Sequence, residues 1–305
     1  MDIRSQNKLN NKVGIVILNW NNFEDTKECL DSILNQSHRN FEVVVIDGGS
    51  TNNSTKIIQE KYPHFHYIYS ERDSGYSGGN NIGISYFMQK KVEFILSMNN
   101  DVMLDKRCLQ ELLSEIQSNT QAGIVGPRMY SHNNKSIFQI SGGFVNIFRS
   151  KPTPKWVKED KKSPKKPFTV IKLPGACLLV RNKAIKEVGL MDEGFFLYYA
   201  DTDWEKRFSD KGWLQISVPK AKAYHKVSAT IGQNSKKLIY YDSRDFLFYV
   251  KKHHGFFTLV YCLVKSWISK NYKLFVTQDQ DKLSKLKLLS LAYLHFFLGI
   301  RGKYK

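Results

Sequence analysis

Residues 13–50, VGIVILNWNNFEDTKECLDSILNQSHRNFEVVVIDGGS, place two short apolar runs, VGIVIL (13–18) and FEVVVI (41–46), around EDTKECLDSILNQ, whose apolar residues recur at helical spacing. A strand, a helix and a second strand in that order predict a right-handed crossover between parallel neighbours. The alternation continues outward. HYIY (66–69), FILSM (94–98) and AGIVG (122–126) supply further strand signals, and STKIIQEKY, GNNIGISYFMQKK and DKRCLQELLSEIQ lie between them as helical patterns. The expected fold class is therefore α/β, a mostly parallel central sheet flanked by helices on both faces.

In such sheets ligands bind beyond the carboxyl ends of the strands. Those ends are polar: NWNN after the first strand, DGGSTNNS after the second, ERDSGYSGGNN after the third and MNND after the fourth. Gly48 and Gly49 permit a tight turn, and the Ser/Thr/Asn cluster after them offers capping oxygens. In GYSGGNNIG the glycines are expected to let the backbone approach a ligand beside a helix start, which favours phosphate. That stretch does not match the Gly-x-Gly-x-x-Gly dinucleotide fingerprint, so a nicotinamide enzyme is disfavoured. Asn99, Asn100 and Asp101 taken alone fit an ordinary turn, because Asn and Asp hydrogen-bond their own backbone. A metal-site reading needs further ligands elsewhere in the chain.

The chain has 305 residues, ample for a full core, and a formal net charge of +18. Residues 149–172 carry nine Lys/Arg against two acids, and residues 251–305 carry eleven against two, which together account for +16 of that charge. A nucleic-acid binder would spread basic groups along a groove with interleaved aromatics, so nucleic acid is not the expected partner. Residues 149–168 are rich in Pro and Lys and predict an exposed, mobile loop. In the tail, FFTLVYCLVKSWISK and LKLLSLAYLHFFLGIRGKYK alternate apolar blocks with Lys, and neither holds the ~20 apolar residues of a spanning helix. Basic amphipathic helices on an anionic membrane surface are expected, with packing on the protein's own core or on a second copy of the chain as the alternatives. The polar opening MDIRSQNKLNNK does not suggest a secretion signal. Cys29, Cys108, Cys177 and Cys262 form no Cys-x-x-Cys pair, which suggests neither a zinc knuckle nor a disulfide framework.

Farther along, VIKLPGACLLV and NKAIKEVG predict a strand and a short helix, followed by LMDEGFFLYYADTDWEKRFSDKGW. Asp201 stands just before a helix, with Glu205 on the same face at i+4. Acids in a first helical turn commonly serve the helix dipole. Here Phe195, Phe196, Tyr198, Tyr199 and Trp204 surround them in sequence, and a carboxylate walled by aromatics is a candidate general base because desolvation raises its proton affinity.

The ordered series VGIVILNWN, VVVIDGGSTNNS, GYSGGNNIGI, MNNDV, PGACLLVRNKAIKEVGLMDEGFFLYYADTDWEKR and VPKAKAYH resembles glycosyltransferase family 2, within it the bacterial rhamnosyltransferase-like branch, over residues 12–250. The resemblance implies a GT-A fold at residues 1–250, with a nucleotide-sugar-binding half (12–130) and an acceptor-binding half (131–250), followed by the basic helical tail (251–305). It implies inverting transfer of a sugar, rhamnose from dTDP-rhamnose as first guess, from a nucleotide-diphosphate donor to a glycan or lipid-linked oligosaccharide acceptor. The cytoplasmic face of the cell membrane is the implied location. By the same resemblance Asp201 is the catalytic base, and Asn19, Asn21, Asp47, Asp73, Gly78, Gly79, Asn80, Asn100 and Trp204 bind substrate. Asp101 and His225 hold Mg²⁺ or Mn²⁺. Two departures stand out: Asn99 replaces an Asp of the stricter metal motif, and Ala200 replaces the acid that usually precedes the base. Ala200 supports the rival expectation of a silent homologue that binds sugar or glycolipid as an assembly partner.

Overall fold

A computed structural model describes residues 12–71, 73–132, 138–140, 164–226, 236–276 and 281–304. The opening stretch forms β1 (Val13–Asn19), α1 (Phe23–Leu34) and β2 (Phe41–Asp47), continued by α2 (Ser54–Lys61), β3 (His66–Tyr69), α3 (Gly75–Gln89) and β4 (Phe94–Asn99). These four strands lie parallel in the order β3-β2-β1-β4. Their register sets Asn19 beside Asp47 and Leu18 beside Asn99, so the polar strand ends share one edge of the sheet.

Beyond β4 come β5 (Val102–Leu104), α4 (Cys108–Ser118), β6 (Ala122–Ser131), β7 (Phe138–Ile140), β8 (Phe168–Val170) and β9 (Cys177–Arg181). Then follow α5 (Asn182–Val188), α6 (Ala200–Asp210) and β10 (Leu214–His225). β9 inserts antiparallel between β4 and β6, which restores the direction of β1 in β6 and β10. The short β5, β7 and β8 pair antiparallel at the far side. Most of the expected 149–168 loop lies outside the described residues.

Strand side chains alternate between two cores. Ile15 and Ile17 face α1 and α4 through Leu30, Ile33, Leu112 and Ile116, whereas Val16 faces α3, α5 and α6 through Ile84, Ile185 and Phe208. Each fully buried aliphatic side chain stabilises the fold by about 1.5–3 kcal/mol relative to exposure. The glycines of GYSGGNNIG lie inside α3 and meet the sheet. A Cβ on Gly83 would fall 2.3 Å from Val16 Cγ1, and one on Gly79 would fall 2.4 Å from Leu18 Cδ1. The absent side chains of Gly79 and Gly83 let α3 sit close on β1, whereas Gly75 and Gly78 of the same run line the clefts beyond the strand ends.

Three last helices, α7 (Lys236–His253), α8 (Phe256–Val276) and α9 (Lys282–Phe297), pack as a layer on Phe195 and Ala200. α7 runs across residue 250. α8 leaves Phe257, Val260, Val264, Ile268, Tyr272 and Phe275 exposed at helical spacing. Among the described residues no helix is long and apolar enough to cross a membrane.

Candidate active site

The loops beyond β1 and β2 are tied together before any ligand arrives. Asn21 adopts φ 54°, and its Oδ1 accepts from the amides of Thr51 (2.8 Å) and Asn52 (3.2 Å). Asn among non-glycine residues tolerates that left-handed conformation well. Asp47 Oδ1 accepts from Ser50 N at 2.6 Å, which closes the Gly48-Gly49 turn. Asn19 is fully buried, with its amide donating to Ser54 (3.0 Å) and Thr55 (2.7 Å) and its Oδ1 accepting from Thr26. Asn19 and Asn21 therefore brace the loops that frame the cleft, and Asn19 has no open side toward it.

Asp101 follows β4 directly. Antiparallel pairing of β5 with β10 sets His225 opposite Val102, and Lys226 N donates to Asp101 O at 3.1 Å. This register brings His225 Nε2 to 3.3 Å from Asp101 Oδ1 across a sequence gap that no local motif spans. Asp101 Oδ1 is buried and accepts no hydrogen bond among the described residues. A carboxylate oxygen left unsatisfied in the interior carries a cost that a cation would relieve. Two cis ligands of an octahedral ion at about 2.1 Å stand about 3 Å apart, so the pair fits a small divalent cation. Among the described residues no cluster of three or more His, Cys, Asp or Glu is present, so the remaining positions would fall to donor phosphate and water.

Asp201 lies in the first turn of α6 after Tyr199, which is itself left-handed at φ 65°. Lys172 Nζ is 2.9 Å from Asp201 Oδ2 and also donates to Thr202. Burial pushes the carboxyl's proton affinity up, but Lys172 and Thr202 outweigh it and hold the carboxyl below its usual range. The expected desolvated, proton-hungry base is thus corrected: Asp201 is a carboxylate pinned by an ammonium. The proton-retaining acid is Glu205, buried and pushed up to about 8, against the opposing pull of Lys172 and its hydrogen bond from Leu173 N. Gly175 packs so closely that a Cβ there would lie 2.2 Å from Asp201 Oδ2. The 174–176 turn also joins the other motifs: Tyr76 Oη donates to Gly175 O (2.8 Å), and Asn99 N donates to Ala176 O (2.9 Å).

A cleft of 340 Å³ opens at this edge, lined by Leu18, Trp20, Gly48, Asp73, Tyr76, Asn99, Asn100, Phe196, Tyr241, Lys303 and Tyr304. Of the expected substrate residues, Asp73 and Asn100 are in this lining, and Gly78 lines an adjoining cleft with Asp73 and Glu193. Asn19, Asn21 and Asp47 are outside the first cleft's lining, in the loop braces described above, and three more expected contacts lie elsewhere. Trp204 is fully buried and its indole donates to Gly189 O at 2.8 Å, which makes it a core residue. Asn80 is buried between Tyr76 O and Ser97 Oγ, and Gly79 lies under Leu18. Lys172, Tyr241, Lys303 and Tyr304 escaped sequence reading. Lys172 carried one usable signal, a lone cation inside the apolar run VIKLPGACLLV.

The fold is the GT-A fold of nucleotide-sugar enzymes. It overlays the crystal structure of GalNAc-T7 with UDP, GalNAc and Mn²⁺ at TM-score 0.59 and 16% identity, covering 79% of this chain and 47% of that one. The match to the family model "Glycosyl transferase family 2" covers residues 14–189, and the chain belongs to that family. It is similar to the dTDP-rhamnosyl transferase RfbF of Shigella flexneri, at 25% identity over 96% of this chain and 98% of that protein, which places it beside the rhamnosyltransferase-like branch. It is also similar to the low-salt glycan biosynthesis hexosyltransferase Agl10 of Haloferax volcanii, at 28% identity over 63% of this chain. The chain spans 60% of the length of that second relative.

Proposed function

We propose that the protein is an inverting, metal-dependent glycosyltransferase that moves a sugar from a nucleotide-diphosphate donor to a hydroxyl of a cell-surface glycan precursor. The observation that carries this reading is that Asn99 and Asn100, which line the cleft, lead into the buried Asp101–His225 pair, while Tyr76 and Asn99 of the same lining are hydrogen-bonded to the 174–176 turn that packs on Asp201. Trp20 and Gly48 offer a flat wall and an open backbone for the nucleoside, beside the Asp47 turn. Asp101 and His225 would hold Mg²⁺ or Mn²⁺, which when bound supplies positive charge for the leaving diphosphate. Asp201, ionised beside Lys172, takes a proton from the acceptor hydroxyl. That oxygen attacks the anomeric carbon from the face opposite the diphosphate, so a single displacement inverts the centre. Lys172 keeps the carboxylate ready and oriented.

Rhamnose from dTDP-rhamnose is the first donor to test, on the likeness to the Shigella protein. Because α7 runs across residue 250, the expected boundary there moves ahead of Lys236, and we further propose that the exposed stripe of α8 and the lysines of that helix seat on an anionic membrane where a lipid-linked acceptor would be presented. Release of nucleoside diphosphate from a panel of dTDP-, UDP- and GDP-sugars, with and without Mn²⁺, tests the reading. One donor turned over only with metal supports it. Donor binding without turnover, persisting when a lipid-linked acceptor is supplied, favours the silent assembly partner for which Ala200 speaks.

A further inference from the structure

Residues 299–304 leave α9 and return to the carboxyl edge of the sheet. Four contacts fix their path. Gly302 N donates to Gly194 O at 3.0 Å, and Tyr304 N donates to Tyr241 Oη at 2.9 Å. Arg301 pairs with Asp192 at 2.9 Å and lies over the rings of Phe195 and Phe248. Lys303 Nζ stands 3.2 Å from Asp73 Oδ2, with about half of its side chain (51%) exposed. Lys303 lines both the 340 Å³ cleft and the adjoining one, and it is the one cation among the described residues that line the first.

We propose that Lys303 recognises the diphosphate of the nucleotide-sugar donor, carried there by a strap whose other residues anchor it. The proposal rests on the nucleotide-sugar reading above and adds to it a residue from a segment that sequence reading had given to the membrane. A diphosphate brings more negative charge than the metal pair alone would balance, and the cleft otherwise offers a carboxylate, amides, backbone and aromatics. Asp73 is the counter-ion of Lys303 in the ligand-free protein; an entering diphosphate shares that ammonium, which reaches it on a flexible stem. Arg301 is held by Asp192 and two rings, so it anchors the strap. Because the strap is already ordered by its backbone contacts, binding costs little further ordering.

The test is calorimetric titration of dTDP and UDP, with Mn²⁺ present, at two salt concentrations, into the wild type, Lys303→Ala and Lys303→Arg. Matched melting temperatures show that the exposed side chain is not needed for folding. Loss of a charge-assisted contact predicts Kd about tenfold weaker in Lys303→Ala for whichever diphosphate the wild type binds, with a flatter salt dependence. Lys303→Arg should stay within about threefold of the wild type, because the charge remains. Unchanged affinity in Lys303→Ala overturns the role of Lys303 and leaves the glycosyltransferase reading intact. Weaker binding with unchanged salt dependence also overturns it, in favour of a purely structural strap. A wild type that binds neither diphosphate removes the donor reading itself, and this proposal with it.

Discussion

At Asp201, burial and the ammonium of Lys172 act in opposite directions on one carboxyl, and the ammonium prevails. Activity should therefore persist on the acid side well below neutrality. In Lys172→Met only Thr202 still opposes the burial, the carboxyl's proton affinity rises, and the acid limb of the kcat/KM profile should move toward higher pH. A profile superimposable on the wild type would show that Asp201 is not the titrating base. Glu205 provides an independent signature in stability. Its folded value of about 8 lies above the ordinary 4.5, so its contribution is fully present below pH 4.5 and is lost as the pH rises through 8. Asp245, pushed up to about 7 by burial although Arg244 opposes it, acts in the same direction. Both pull the melting temperature down between pH 5 and 8, against His254 and His295, whose lowered values act the other way below about pH 6.5, and Glu205→Gln, whose amide oxygen still accepts from Leu173, should raise the alkaline side of the profile relative to the wild type. The change at Ala200 has a physical counterpart: it is fully buried in the apolar cluster that also holds Phe246 and Tyr249 of α7, where a carboxylate would be desolvated.

At the scale of the element, α3 shows how one motif carries two meanings. Gly83 faces Val16, whose branched Cβ cannot swing aside, and the strand must shift to admit a methyl group. Gly83→Ala should thus lose about 1–3 kcal/mol in a urea denaturation series, in spite of the gain of about 1 kcal/mol in helix propensity. A more stable variant would place α3 farther from β1. The same glycines show why the sheet was legible and part of the site was not. Strand and helix follow from residue periodicity, which VGIVIL and FEVVVI display openly. Whether a glycine faces a ligand or a neighbouring strand depends on how elements pack, which periodicity does not encode. The Asp101–His225 pair was legible only through the resemblance, because the β5–β10 register that joins them spans 124 positions of sequence. Lys303 was hidden by its place in a basic tail.

At the scale of the whole molecule, the last three helices cover Phe195 and Ala200 with one face and turn the aromatic stripe of α8 outward. If that stripe seats on lipid, Phe257→Ser combined with Ile268→Ser should weaken binding to anionic vesicles at least about tenfold in a flotation assay, since each side chain buries about 1.5–3 kcal/mol of apolar surface. The melting temperature should not change. Unaltered flotation, or a shift from dimer to monomer in the variant, would assign the stripe to another surface. The central claim is that a carboxylate at Asp201 performs the proton transfer while Asp101 serves the metal. It is tested most directly by single-turnover transfer from the donor that the wild type accepts, with donor affinity measured in parallel for Asp201→Asn and Asp101→Ala. The account predicts that Asp201→Asn keeps donor affinity and loses about 10²–10⁴ in rate, whereas Asp101→Ala loses rate together with its response to Mn²⁺. Transfer by Asp201→Asn at the wild-type rate would contradict it.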